Sequence, residues 1–157
     1  QIVRAMPNTP AQIGVGMTAW TASKKVTAKQ KKLARTILDA LGEEIYFSDE
    51  KYIDMATAVS GSGPAYVFYM IEGLIDAAVK VGLPRETAGE LVLETVLGAA
   101  LLAKQSPKSP QELRKQVTSP GGTTAAGIAV LESGKFKELL ADTVAAAHKR
   151  AKELGGK

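Results

Sequence analysis

From Pro84 to about Gln105 the sequence reads as one helix that is apolar on almost every side. Glu86, Glu90 and Glu94 form a single narrow polar stripe, while Leu91, Val92, Leu93, Val96, Leu97, Ala99, Ala100, Leu101 and Leu102 surround the rest. A helix of this kind has to be covered on several sides. The part of the chain after Ser60 holds only about 100 residues, too few to supply that cover. A second subunit is therefore expected to supply it.

The rest of the chain divides around this helix. Ile2 to Ala5 reads as the end of a strand stopped by Pro7 and Pro10, and Ile13 to Trp20 as a second extended run. Val26 to Leu41 has the amphipathic pattern of a surface helix, with Gly42 placed as its C-terminal cap. Glu44 to Phe47 gives a third strand, and Ser48 or Asp49 caps a helix running to about Val59. Beyond Ser60 only helices are expected: Pro64 to Val81 ended by Gly82, the helix opened by Pro84, then Ser109 to Gln116, Thr123 to Ser133 and Lys135 to Leu154. Two or three short strands make a poor sheet alone, so the first fifty or so residues read as the tail of a larger α/β domain. The chain, which opens on Gln1 rather than methionine, is expected to be a fragment or a processed product.

Composition narrows the chemistry. The absence of cysteine excludes disulfides, thiolate catalysis and Cys-based zinc sites, and a single histidine, His148, leaves no imidazole cluster for a metal. His148 is expected to be exposed on the last helix, and no metal is expected. The longest apolar stretch, Ala65 to Val81, is broken by Glu72 and Asp76 and falls short of the roughly 20 apolar residues of a membrane span. Neither a membrane helix nor a secretory signal is read, and the expected location is cytoplasmic. The net charge of +4 names no partner. The one dense basic stretch, Lys24, Lys25, Lys29, Lys31, Lys32 and Arg35, contains no aromatic residue for bases to stack on, so it reads as a solvated helix face and not a nucleic-acid site.

Three loops could carry chemistry. Thr118-Ser-Pro-Gly-Gly-Thr-Thr124 brings glycine backbone donors, hydroxyls and a helix start to one point, which suits an anion; the absence of a basic residue favours a small carboxylate over a polyphosphate. A plain turn with a threonine cap is the competing reading. Ser60-Gly-Ser-Gly-Pro-Ala65 is either a tight turn with a helix cap or a place where backbone approaches a ligand closely. Met6-Pro-Asn-Thr-Pro10 sets Asn8 after a strand end, where ligands gather in α/β sheets, or else makes an Asx turn. Gly14-Val-Gly-Met-Thr-Ala19 fits a dinucleotide fingerprint in letters only, since Met6-Pro-Asn-Thr-Pro10 and not a strand leads into it, and Trp20-Thr-Ala-Ser follows where a helix should run. Glu72 and Asp76 share a helix face, and bonds to backbone or to a partner subunit are a better reading of them than acid and base catalysis.

The order Met-Pro-Asn-Thr-Pro from Met6, Ser-Gly-Ser-Gly-Pro-Ala-Tyr from Ser60, Gly-Leu-Pro-Arg from Gly82 and Val-Thr-Ser-Pro-Gly-Gly-Thr-Thr from Val117 resembles the pyrroline-5-carboxylate reductase family. The resemblance runs from Val3 to about Leu154 and continues through Val130 to Phe136. It implies a mainly α fold: residues 1–52 as the C-terminal remnant of a nucleotide-binding Rossmann domain, and 53–157 as a helical dimerisation and substrate-binding domain of the 6-phosphogluconate dehydrogenase C-terminal-like kind.

The same resemblance implies roles. Val117, Ser119, Gly121, Gly122, Thr123 and Thr124 would bind the substrate, with the loop holding its carboxylate, the Val117 carbonyl offered to it, and Thr124 at the ring nitrogen as the catalytic residue. Pro7, Asn8 and Thr9 would edge the nicotinamide pocket, and Ser60, Gly61, Ser62, Gly63 and Pro64 would floor it. The implied activity is NAD(P)H-dependent reduction of 1-pyrroline-5-carboxylate to L-proline, with NADPH or NADH held mainly in a domain this chain lacks, so that the chain alone is inactive. A homodimer with interwoven helical domains is implied, pairs of which assemble into rings. The segment Ser106 to Pro110 departs from the acidic or histidine-bearing stretch of some members. A non-catalytic dimerisation module of the same family is the alternative.

Overall fold

The computed structural model describes residues 1–156. Its elements are strand β1 (Val3–Met6), a 3-10 turn (Thr9–Ile13), strand β2 (Gly16–Ala22), helix α1 (Ala28–Asp39), strand β3 (Gly42–Tyr46), helix α2 (Lys51–Ala56), a π-helical turn (Thr57–Gly61), and helices α3 (Gly63–Lys80), α4 (Arg85–Gln105), α5 (Pro110–Gln116), α6 (Thr123–Ser133) and α7 (Phe136–Leu154). A short α/β portion is thus followed by helices alone. Two compact units result, one of Gln1–Val67 with Leu140–Lys157 and one of Phe68–Leu139, with the boundaries falling inside α3 and α7.

In the first unit β1 runs antiparallel to β2, with Val3 opposite Ala22 and Met6 opposite Ala19. β2 runs parallel to β3, with Gly16 opposite Gly42 and Trp20 opposite Tyr46, and α1 makes the crossover that a parallel pair needs. Thr27 starts α1 with a capping box, accepting from Gln30 N–H while the Gln30 side chain accepts from Thr27 N–H. The core of this unit gathers on β2 and the elements over it: Thr18, Ala19, Trp20, Val26, Leu38, Ile53 and Ala58 are buried. Trp20 meets Tyr46 edge to face at 4.8 Å and its indole N–H donates to Glu44, which also pairs with Arg35 at 2.7 Å.

The extended run expected from Ile13 begins only at Gly16, because Pro10 sits in the first turn of a 3-10 helix that carries the chain to Ile13 and ends on Gly14 at φ +73°. Gly42 is not a helix cap: α1 stops at Ala40, and Gly42 opens β3 at φ +127° directly against the Gly16 backbone. The helix expected to reach Val59 changes register at Thr57. There the Ser62 N–H reaches back five residues to the Thr57 carbonyl at 2.8 Å, and the Thr57 and Ser60 hydroxyls donate to the Ile53 and Ala56 carbonyls. Asp49 does act at the start of α2, accepting from Lys51 N–H at 3.0 Å. His148 is half-buried and not exposed, since its spacing from Val144 and Ala151 puts it on the covered face of α7; its Nε2 is buried without a partner. The basic stretch is solvated apart from Arg35, which pairs with Glu44, and Lys31, whose ammonium bonds the Tyr46 hydroxyl at 2.6 Å.

In the second unit Ala88 alone among the described residues is buried. On α4, Leu91, Leu93, Leu97, Leu101 and Leu102 are each about half exposed, at 46–57%. A single chain leaves this helix uncovered. Asp76 on α3 pairs with Arg85 at 2.6 Å, an ion pair that pins the α3–α4 turn at Gly82, where φ is +106°. No helix among the described residues is long and apolar enough to cross a membrane, and no cluster of metal-ligating side chains is found among them.

Candidate functional site

The loop between α5 and α6 is built by its own sequence. Pro120 and Gly121 form the centre of a turn closed by the Gly122 N–H donating to the Ser119 carbonyl at 3.1 Å, and Gly121 takes the φ of +72° such a turn requires. Upstream, the Thr118 hydroxyl donates to the Arg114 carbonyl at 2.6 Å and fixes the exit from α5. The Arg114 guanidinium meets Glu132 at 3.1 Å, tying α5 to α6. Gly122 lies so near Ser119 that an added Cβ would stand 2.6 Å from the Ser119 hydroxyl oxygen and 3.2 Å from its carbonyl oxygen.

Two details of this loop differ from the expectation. The Gly122 N–H is occupied by the turn, so it is not a free donor. Neither Thr123 nor Thr124 caps α6: the cap is Gly122, which has no side chain, and Ala126 N–H returns to its carbonyl at 3.2 Å. The free donors are therefore the first-turn amides of α6, at Thr123, Thr124 and Ala125, ahead of the first bond of the helix. Among the described residues the hydroxyls of Ser119, Thr123 and Thr124 make no hydrogen bond. A helix start with no side-chain cap, flanked by uncommitted hydroxyls and with no charged residue among Thr118 to Thr124, is an arrangement that can accept an anion. Val117 ends α5 and is 66% exposed.

Both expected cofactor segments lie in the first unit, and Met6, just ahead of one, meets Gly61 of the other. Asn8 is half-buried, and its side-chain oxygen accepts from Met17 N–H at 2.9 Å, which fastens the Pro7–Thr9 loop to the start of β2. That leaves its amide nitrogen as the group able to donate outward. Met6 packs on Gly61, where an added Cβ would stand 2.8 Å from the end of the Met6 side chain. The Ser60 hydroxyl donates to the Ala56 carbonyl at 3.0 Å, whereas the Ser62 hydroxyl makes no bond among the described residues. Gly63 has nothing within 4 Å of where a Cβ would be, so its face is open, and Pro64 follows in the first turn of α3. The Thr118–Thr124 loop belongs to the second unit. Sequence reasoning did not find Met6 as the contact to Gly61, because a contact between residues some fifty positions apart leaves no local signal.

In the Gly14–Ala19 segment Gly16 begins a strand against the Ala11 backbone, and no helix starts there. Comparison with known proteins gives the arrangement a family. The family profile "Pyrroline-5-carboxylate reductase dimerisation" matches residues 50–154. A pyrroline-5-carboxylate reductase of a Synechocystis species is 50% identical over 156 residues, 99% of this chain and 58% of that protein. One from Pseudomonas aeruginosa is 46% identical over 98% of this chain and 56% of its own length. Among solved structures, a Coxiella burnetii pyrroline-5-carboxylate reductase superposes with a TM-score of 0.93 at 50% identity, covering 98% of this chain and 57% of that one. A Plasmodium falciparum pyrroline carboxylate reductase with NADP bound superposes with a TM-score of 0.93 at 42% identity, covering 99% and 63%. The chain thus spans somewhat over half the length of the relatives it matches, and across nearly all of its own length it belongs to the pyrroline-5-carboxylate reductase family.

Proposed function

We propose that this chain is the substrate-anchoring and dimer-forming part of an NAD(P)H-dependent pyrroline-5-carboxylate reductase, which reduces 1-pyrroline-5-carboxylate to L-proline at the end of proline biosynthesis. The observation that carries the reading is the start of α6, uncapped by any side chain and surrounded by the free hydroxyls of Ser119, Thr123 and Thr124. In this reading residues 1–52 complete a cofactor domain and 53–157 form the helical domain. When bound, the reduced nicotinamide supplies a hydride to the imine carbon. The amides of Thr123 and Thr124 and the Ser119 hydroxyl hold the substrate carboxylate. The protonated ring nitrogen has one N–H, which it donates to the Thr124 hydroxyl with the Val117 carbonyl beside it, and this keeps the imine carbon electrophilic. Fixed orientation of this kind can lower a barrier by several kcal/mol. The residues Pro7, Asn8, Thr9 and Ser60 to Pro64 suit the edge and floor of a nicotinamide site, because Gly63 leaves an open face and the Asn8 amide and Ser62 hydroxyl remain available. None of them offers a pyrophosphate cradle, which is left to the domain beyond this chain.

The exposed leucines of α4 and the dimerisation profile together support a homodimer in which the substrate loop of one subunit meets the cofactor domain of the other. Assembly of such dimers into rings and a cytoplasmic site of action belong to the same proposal. In the full-length enzyme, Thr124→Ala is expected to lower kcat and Ser119→Ala to raise KM for the imine, each by a few-fold to about tenfold, the worth of one neutral hydrogen bond. Gly122→Val should do more damage, because its side chain would meet the Ser119 hydroxyl and carbonyl. Normal kinetics in all three variants would place the carboxylate elsewhere.

A further inference from the structure

The two segments assigned to the nicotinamide leave from different elements, and one cation ties those elements together. Arg4 lies in β1, three positions ahead of Pro7. Its guanidinium donates through Nη1 to Glu50 at 2.9 Å and through Nη2 to Asp54 at 3.0 Å. Glu50 immediately precedes α2, and Asp54 lies inside it, 4% exposed and six positions ahead of Ser60. Burial works against the charged guanidinium, but the bonds to Glu50 and Asp54 outweigh it and raise its pKa.

Two further contacts converge on the same junction. Met6, two residues after Arg4, packs on Gly61 of the π-helical turn. Asn8 is bound to Met17 N–H, so the loop after β1 cannot swing independently of the sheet. An isolated ion pair this exposed on one side contributes little to stability, and an apolar pair would fill a half-buried site as well. The forked guanidinium offers something else, which is one fixed separation between a strand end and a helix start. A lysine, with three donors on one compact, flexibly held ammonium, could meet both carboxylates but would not fix their separation as a planar fork does.

We infer that Arg4 is a positioning residue of the cofactor site, holding the end of β1 on α2 so that the Pro7–Thr9 loop and the Ser60–Pro64 turn keep the spacing a nicotinamide ring needs. This rests on the function proposed above. The test is made in the full-length enzyme with Arg4→Met, Arg4→Lys and Asp54→Asn, and with Lys51→Met as a control that removes the neighbouring ion pair to Asp49. Arg4→Met is expected to raise KM for the reduced dinucleotide roughly tenfold and Arg4→Lys roughly threefold, with kcat and the imine KM changed less than about twofold. Lys51→Met should leave all three at parental values. Should Arg4→Met fail to fold, the Arg4→Lys and Asp54→Asn proteins decide by the same ratio. An unchanged dinucleotide KM, or an equal rise for both substrates, overturns the inference. So does faster amide exchange at Ala11 to Val15 and Ser60 to Ser62 with unaltered KM, since Arg4 would then serve stability alone. A parent enzyme that never reduces the imine sinks the functional reading instead. Direct binding of the dinucleotide to the parent and Arg4→Met proteins then decides this point, tenfold weaker binding supporting it and equal binding refuting it.

Discussion

Two glycines separate what a backbone needs for shape from what it needs for space. Gly121 adopts φ +72° with nothing within 4 Å of a would-be Cβ, so Gly121→Ala costs only the conformational penalty, about 1–2 kcal/mol, and that cost falls on the anion loop. Gly42 adopts φ +127° and faces the Gly16 carbonyl oxygen, 2.3 Å from where a Cβ would stand. Gly42→Ala must therefore open the β2–β3 pairing as well as strain the chain. Thermal unfolding of the full-length protein should show a much larger loss for Gly42→Ala, whereas Gly121→Ala should cost more activity per folded molecule. Equal losses of stability would mean that the strand pairing yields easily at Gly42. The requirement at Gly121 was readable from Ser119-Pro-Gly-Gly122, because local turn chemistry dictates it. The requirement at Gly42 was misread as a helix cap, because what demands it is a strand twenty-six positions upstream.

Among the elements, those with local grammar match their expected bounds, and those set by distant packing do not. α5 shows the first case: Ser109 accepts from Glu112 N–H, and Glu112 accepts from the Ser109 hydroxyl and N–H at 2.7 Å. The hydrogen bond from the Ser109 hydroxyl, then that from its backbone, lowers the Glu112 pKa below its ordinary value. A depressed carboxylate pKa means that the cap is fully formed above the unfolded-state value and is lost as pH falls through the folded one. The Glu112 titration midpoint, followed by NMR, should accordingly rise in Ser109→Ala; an unmoved midpoint would deny the cap its role. The π-helical turn at Thr57–Gly61 is the second case. Nothing in Thr-Ala-Val-Ser-Gly announces a widened turn, and the packing of Gly61 on Met6 accompanies it. α4 was legible as uncovered from its apolar circumference, and its leucines are indeed exposed in a single chain. Leu97→Asp should convert the dimer to monomer or unfold it, since a carboxylate would enter the apolar face. A dimer mass unchanged at micromolar concentration would remove α4 from the interface.

At the scale of the whole molecule, the function proposed above gives the chain one part of a site and a longer protein the rest. Its second unit carries the Thr118–Thr124 loop, its first unit carries the Pro7–Thr9 and Ser60–Pro64 segments, and the chain spans 58% of its Synechocystis relative. The turn at Pro120 and Gly121 could be read from consecutive residues, whereas the tie between Arg4 and α2 could not, because its partners lie 46 and 50 positions away. The chain spans somewhat over half the length of its relatives, and the leucines of α4 are exposed in a single chain. The most direct measurement is steady-state oxidation of NADPH or NADH dependent on 1-pyrroline-5-carboxylate, made side by side on the full-length gene product and on the 157-residue chain. The account predicts turnover to proline by the full-length protein and none by the chain alone. A full-length protein that leaves the imine unreduced, or a 157-residue chain that reduces it unaided, would contradict it.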